Sequence, residues 1–374
     1  MNGHPDKHPH SFRRSWLEVS LGQIRANYRA VRSVVGLSVD IMPVVKADAY
    51  RHGAVAVSHA LEAEGARWLA VSNVEEGAAL RQSGITARIL VMADFLPPPG
   101  ALNEFQLTPV AHTLEDIATL RTPYHLKIDT GMGRLGTRAT PDEIVRAIAA
   151  GQAELEGVMT HFASSANYES PQTEQQIAHF ERVLEALRAA GLGPRYAHAS
   201  SSIPVAYRRT AGWGNLVRPG HAIYGYVSPA RGAAAPAPVL DIRPALTWKA
   251  SVLAVKDLPT GALIGYGGIH RAARPMRIAV LAAGYADGIP HRLGNRGQVI
   301  VQGKLAPIVG AVSMDLTTID VTACPELRAG DAVMLLGSEG GVSIDAQQMA
   351  RVAGTISYSV LCGIHARVTR VYVD

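Results

Sequence analysis

Between residues 41 and 225 the chain repeats one pattern: a short apolar run, a longer amphipathic stretch, then a turn residue. The apolar runs read as strands at IMPVV (41–45), WLAVS (68–72), RILVM (88–92), LTPVAH (107–112), YHLKID (124–129), GVMTHF (157–162), YAHAS (196–200) and HAIYG (221–225). Stretches such as AVAVSHALEAEG, VEEGAALRQSG and TEQQIAHFERVLEALRAAG carry apolar residues at helical spacing, and several close on a glycine, the usual helix C-terminal cap. Strands that alternate strictly with helices pair in parallel, and about eight of them predict a (β/α)8 TIM-type barrel, an α/β fold, over residues 16–241. After residue 225 the texture changes. SPARGAAAPAPVLDIRP is a Pro/Ala/Gly-rich connector, and beyond it ALTWKASVLAV, RIAVLAAGY, GQVIVQG, KLAPIVGAVS, LTTIDV and DAVMLLG are β-rich runs broken by Gly, Pro and Asp. With one helix in SIDAQQMARVAG and a closing strand in ARVTRVYVD, residues 242–374 predict a mostly-β C-terminal domain, and the polar residues 1–15 a frayed tail.

Composition narrows the class. In 374 residues, 48% hydrophobic and 18% charged, there is material for one large α/β domain and a smaller one, as in a globular enzyme. The net charge of +5 is spread along the chain with no Lys/Arg block, so a nucleic-acid partner is not expected, while small anionic ligands suit the balance. Cys324 and Cys362 belong to no CxxC or Cys/His pattern, which argues against a metal site or a disulfide framework and for a reducing compartment. No run approaches the roughly 18 apolar residues of a membrane helix and the N-terminus lacks a signal-peptide core, so a cytoplasmic location without membrane attachment is expected.

Barrels of this type gather their chemistry at the C-terminal ends of the strands. Reading those ends gives Lys46, then Lys127 and Asp129, His161, and His198 followed by Ser200, Ser201 and Ser202, while Arg218 comes just before the eighth strand, in NLVRPGHAIYG. DTG at 129–131 occurs once, whereas aspartic proteases need two facing copies, and GMGRLG at 131–136 lacks the GK[ST] ending of a P-loop and the spacing of GxGxxG. A tight turn that carries Arg134 over the barrel mouth is the simpler reading. A desolvated lysine at a strand tip can form a Schiff base with a carbonyl, and HASSS and RPGH offer hydroxyls and backbone N–H groups for a phosphate. Lysine plus phosphate cradle suggests pyridoxal 5′-phosphate, although a Schiff-base aldolase without that cofactor shows similar residue types.

The motifs VVKADAY, KIDTGMGRLG, THFA, VRPG…YG, the YG at 266–267, GYADG, SMD and ISYSV together resemble the alanine racemases, fold-type III pyridoxal-phosphate enzymes, in the family's order from about residue 16 to 372. The resemblance implies a racemase of L- and D-alanine in which Lys46 carries the cofactor and Tyr266 is the second acid–base group on the opposite face of the α-carbon. It implies Arg218 facing the pyridine nitrogen, His198 buttressing that arginine, and Tyr50, Ser202, Gly220, Tyr358 and the His221 backbone N–H at the phosphate. Arg134 and the Met314 N–H bind the substrate carboxylate in this reading, Lys127 orients Arg134 and is often carbamylated in the family, and His161 partners Tyr266. Tyr285 and Asp315 line the substrate's path. Because Tyr266 falls in the β domain, the resemblance further implies a head-to-tail homodimer with shared active sites, and a role in bacterial D-alanine supply for peptidoglycan. Three positions depart from the family pattern: Arg51 where glycine is usual, Ser201 where asparagine is common, and Ile289 where an aromatic is usual. Serine or a broader amino-acid range is the alternative substrate reading; a decarboxylase, a D-threonine-type aldolase and a non-catalytic cofactor carrier fit the motifs less well.

Overall fold

The computed structural model describes residues 13–94 and 99–374. The expected tail lies outside them up to residue 12; Ser15 already opens the first strand, β1 (Ser15–Ser20). Two compact units emerge, one made of Leu21–Ala49 and Gly53–Arg243, the other of the chain up to Ser20, Tyr50–His52 and Pro244–Asp374.

The larger unit is a closed parallel barrel. Its strands are β2 (Asp40–Ile41), β3 (Trp68–Val71), β4 (Arg88–Val91), β5 (Leu107–Ala111), β6 (Tyr124–Lys127), β7 (Leu155–Met159), β8 (Tyr196–His198) and β9 (Leu216–Val217). β3 to β8 pair in sequence order, and β2 pairs with β9. Closure is completed by a Val44–Ala70 bridge beside β3 and by Asn215 N donating to Ala197 O (3.1 Å) and Arg218 N to Ser200 O (2.9 Å) beside β8. Parallel strands covered on both faces are uniformly apolar, which is why WLAV in β3 and most of β4 are buried. Helices return the chain between strands, and their starts are well capped: Asn73, Thr113 and Thr140 each accept a backbone N–H of the first turn.

One strand moves. HAIYG is not the eighth strand; His221–Tyr224 is a short 3-10 helix, and the strand is β9 just before it. Pro219 has no N–H to continue a ladder, and Gly225 at φ 91° closes the turn with Tyr226 N on His221 O at 3.0 Å. HAIYG is apolar because the turn is buried, and a short apolar run does not by itself distinguish strand from helix. The shift puts Arg218 at the C-terminal end of its strand, in register with the other rim residues.

The smaller unit is built on a nine-stranded sheet whose main path runs Lys304–Pro307, Gln298–Val301, Ala332–Glu339, Leu246–Leu258, β1 and Thr369–Val373. All its pairings are antiparallel except that of β1 with Thr369–Val373. Residues 16–20, assigned to the barrel from sequence, therefore serve as a strand of the β sheet. Among the described residues no helix is long and apolar enough to cross a membrane.

Candidate active site

Lys46 follows β2 and opens an unusual turn. Ala47, Asp48 and Ala49 lie at φ 52–54°, ψ 47–49°, and Tyr50 and Arg51 at φ 53° and 68°, a left-handed helical turn of L-residues. That conformation costs about 1–2 kcal/mol per residue. Local bonds offset it: Ala47 N donates to Glu76 Oε1 (2.7 Å), Ala54 N to Asp48 Oδ1 (2.8 Å) and Gly53 N to Asp48 O (3.0 Å). Over-determined strain of this kind is concentrated at functional positions. Glu76 was not singled out in the sequence; its signal is the second of two acids in the first turn of the helix Val74–Gln82, where an acid also suits the helix dipole.

On β6, Lys127 and its neighbour Asp129 shape the next loop. Asp129 Oδ1 accepts from the N–H groups of Gly131, Met132 and Gly133 at 2.9–3.1 Å, and Oδ2 from Arg138 Nε at 2.7 Å. Burial works to raise this carboxyl, but the bonds from Gly133, Arg138 and Gly131 hold it at about 2. DTGMG is thus a turn tied to its own aspartate, which carries the exposed Arg134 at its crest. Gln176, a buried glutamine of the helix Gln172–Ala189, bridges this loop to the one after β7 by donating to Thr130 Oγ1 and His161 O. The loop then folds back on β6, with Asp129 N on Thr137 O and Thr137 N on Lys127 O. A Cβ at Gly136 would lie 2.8 Å from Asp129 N and 2.9 Å from Lys127 O, at φ 113°. Gly136→Ala is therefore expected to lower stability by roughly 2–4 kcal/mol, with both contacts and the positive φ contributing. Urea unfolding followed by circular dichroism measures it, and an unchanged midpoint would show that the loop can shift freely.

Arg218 is buried at the end of β9 and spends its fork on four acceptors. Nη1 donates to His198 Nδ1 (2.7 Å) and His198 O (2.6 Å); Nη2 donates to Thr160 O (2.6 Å) and Ala199 O (3.1 Å). Burial lowers its pKa to about 9, which leaves it charged at neutral pH. The loop beyond turns N–H groups onto a hydroxyl: Gly220 N and Ala222 N both donate to Ser202 Oγ, at 3.1 and 3.0 Å. His161 is pulled down to about 3 by burial and by Arg218, Arg134, Lys127 and Lys46, so it is neutral. Lys127 is pulled to about 8 by burial and by Arg134, Arg218 and Lys46, with only Asp129 acting the other way. Four cations crowd one barrel mouth, and the aspartate nearest them is committed to Arg138 and a backbone turn. Such a field suits a ligand with several negative charges, and the residues fit a phosphate-bearing cofactor together with a carboxylate substrate.

In the β unit, the Tyr50 and Tyr358 rings lie 6.0 Å apart, and burial, then Tyr358 and Cys362, raise the Tyr50 phenol above its usual range. Arg51, in the left-handed position where glycine is usual, is held by its Nε on Cys362 O (3.3 Å) and by Arg370 Nε on its own carbonyl (3.2 Å). Those anchors explain how an arginine is tolerated there. Tyr266, Met314 and Tyr285 are exposed by 76%, 55% and 45%, while Ile289 is buried. Arg367 joins the Tyr285 and Met314 loops, donating to both Asp287 oxygens (2.7 and 2.9 Å) and to Asp315 Oδ1 (2.7 Å). Asp315 accordingly acts as an anchor for its loop. Ser201 precedes the short helix Ser202–Ala206 and makes no side-chain cap.

An amine at a strand tip, a buried guanidinium and backbone N–H groups gathered at the Ser202 hydroxyl suit one class of catalyst, the barrel-type pyridoxal-phosphate enzymes. The chain belongs to the alanine racemase family: the family's N-terminal domain matches residues 19–229 and its C-terminal domain residues 245–372. An alanine racemase of Halothermothrix orenii is 38% identical over 96% of this chain and 97% of its own. The crystal structure of alanine racemase from a D-cycloserine-producing Streptomyces lavendulae superposes with a TM-score of 0.88 at 33% identity, over 97% of each chain. That of Bartonella henselae, with covalently bound pyridoxal phosphate, gives 0.83 at 27% identity over 96% of this chain and 99% of that one.

Proposed function

We propose that this chain interconverts L- and D-alanine with pyridoxal phosphate, moving one proton at the substrate α-carbon between Lys46 on one face and Tyr266 on the other. The observation that carries the reading is the cluster of Lys46, Lys127, Arg134 and Arg218 around a neutral His161. Bound to Lys46, the cofactor supplies an electron sink that acidifies the α-C–H bond of an amino acid. Ser202, Gly220 and the His221 N–H would hold its phosphate, and Tyr50 and Tyr358 would serve the same group. Arg218 would stand against the cofactor's ring nitrogen and, as a permanent donor with no acceptor, would keep a proton off it, limiting side reactions that need a fuller electron sink. Arg134 and the Met314 N–H take the substrate carboxylate and so fix which bond points at the two bases. With its pKa near 8, Lys127 offers enough free amine near neutral pH to react with carbon dioxide, and the resulting carbamate anion would orient Arg134. His161 partners the Tyr266 phenol, and Tyr285 and Asp315 shape the approach.

The exposure of Tyr266 on the β unit supports a homodimer in which each tyrosine serves the partner's lysine. Incubating purified protein with L-alanine in D2O tests the reaction. The expected product is D-alanine deuterated at Cα; carbon dioxide release, or no α-proton exchange with any amino acid, would sink the reading.

A further inference from the structure

A barrel interior is normally filled by layers of branched apolar side chains. Here a polar chain runs through it. From Arg218, the contact to His198 Nδ1 continues from His198 Nε2 to His125 Nδ1 at 2.7 Å, and His125 Nε2 faces Glu156 Oε2 at 3.8 Å. Glu156 in turn takes both guanidinium nitrogens of Arg88, which lies over the Trp68 ring at 4.1 Å. His125 and His198 are wholly buried, and Glu156 is 4% exposed. The strand register places Arg88 and Glu156 near the starts of β4 and β7, His125 opposite Gly157, and His198 opposite Met159.

Donor and acceptor rules fix the direction of every proton in this chain. Arginine has no acceptor, so His198 Nδ1 must accept. Burial, first, keeps both imidazoles neutral; the Arg218 charge adds to it, while Glu156 pulls His125 the other way without overcoming it. A neutral His198 with a bare Nδ1 carries its proton on Nε2 and donates to His125. His125 must then carry its own proton on Nε2, an atom with no hydrogen-bond acceptor within reach and a carboxylate in front of it. A donor-less anion stands at one end and an acceptor-less cation at the other, and both demand the same polarity.

Stability alone does not account for this arrangement. Burying two imidazoles, a carboxylate and a guanidinium costs more than packing apolar residues of similar volume. The chain also makes room for it: a Cβ at Gly157 would come within 2.6 Å of the His125 ring. Tyr196 and Trp68 hold that ring at centroid distances of 6.0 and 5.4 Å. The four contacts of the fork leave only the Nε–H of Arg218 to donate outward, and a carboxylate placed directly against the guanidinium would offset the charge behind that donor. Two intervening imidazoles instead make His198 a stronger acceptor by polarisation and leave the guanidinium charge in place.

The geometry points to Glu156 as a positioning residue for the reaction: through His125 and His198, its carboxylate orients Arg218 and sets how strongly that guanidinium donates at the barrel mouth. This rests on Arg218 serving the reaction proposed above. Three holoenzyme variants test it. Glu156→Gln keeps the volume and removes the charge, and His125→Leu breaks the chain at its middle. Arg88→Lys gives up the two-nitrogen contact with Glu156 but keeps a cation beside its carboxylate. The first two are expected to lower kcat for alanine about tenfold with KM within about twofold, as loss of an orienting partner behind a binding group does, while Arg88→Lys lowers Tm but keeps kcat. In protein labelled with 15N-histidine, Glu156→Gln should shift the Nε2–H resonances of both His125 and His198. If kcat in Glu156→Gln and His125→Leu matches Arg88→Lys, or the His198 resonance stays put, the relay is overturned and Glu156 is only an ion-pair partner. Lack of racemase activity in the wild type counts against the function proposed above, and the His198 resonance then decides the relay alone.

Discussion

Lys46→Ala is expected to leave a folded protein that no longer retains pyridoxal phosphate through dialysis and racemises alanine about 10³-fold more slowly or worse, since under the proposed roles the substitution removes a covalent attachment point and a proton-transfer group together. The fold should survive because the burden of the left-handed turn falls on Ala47 to Arg51, and Glu76 and Asp48 hold that turn by accepting backbone N–H groups. Compared with cofactor-free wild type, removing the Lys46 amine from beside Lys127 also relieves like-charge repulsion, so unchanged or slightly raised stability is expected. For the same reason, losing Lys46 should raise the pKa of Lys127 from about 8, and less of its free amine would then be available for carbamate formation at neutral pH. The absorbance of dialysed protein above the protein band, with chiral chromatography of the product, measures both effects. A Lys46→Ala protein that keeps the visible band after dialysis would move the attachment point elsewhere, and Lys127 would be the next amine to examine.

The parts of this site that sequence exposes are those where residue type and position are tied to a regular element. Lys46, Lys127, His198 and their strands were legible because apolar runs of parallel strands are short, uniform and bounded by polar tips. The eighth strand was misplaced for the reverse reason: HAIYG is apolar through burial of a turn, and only two residues of β9 are regular strand. β1 was hidden because its partners lie far away in sequence, in Leu246–Leu258 and Thr369–Val373. Nothing in KADAYR announces five successive residues at positive φ; Ala, Asp and Tyr have no such preference, and the conformation is imposed by surrounding hydrogen bonds. His125 did leave a trace. In YHLKID it stands two residues before Lys127, hence on the same face of the strand, which for a barrel interior is an unusual place for a second polar group. Arg51 reads as a departure in sequence and as an anchored residue in three dimensions, with its Nε and its carbonyl both engaged.

Tyr266→Phe carries the second large expected effect. Racemisation should fall about 10²–10⁴-fold, the usual worth of a positioned acid–base group. The remaining base still faces one side of the α-carbon, so exchange of the α-proton for deuterium should persist for one enantiomer of alanine and be lost for the other. Equal loss for both would argue that Tyr266 binds substrate and moves no proton. The stronger test uses two inactive proteins together. If each site combines Lys46 of one protomer with Tyr266 of its partner, a heterodimer of Lys46→Ala and Tyr266→Phe chains holds one intact site and one that lacks both groups. Random reassortment makes half the dimers hybrid, with one site in two restored, so an equimolar mixture should recover about a quarter of wild-type activity per chain. If instead both groups came from one chain, no pairing of these variants could assemble a complete site, and the mixture would stay inactive even though dimers form. The exposed Tyr266, Met314 and Tyr285 side chains favour the first outcome, because a proton-transfer group open to water on its own chain needs a second surface to exclude solvent around it.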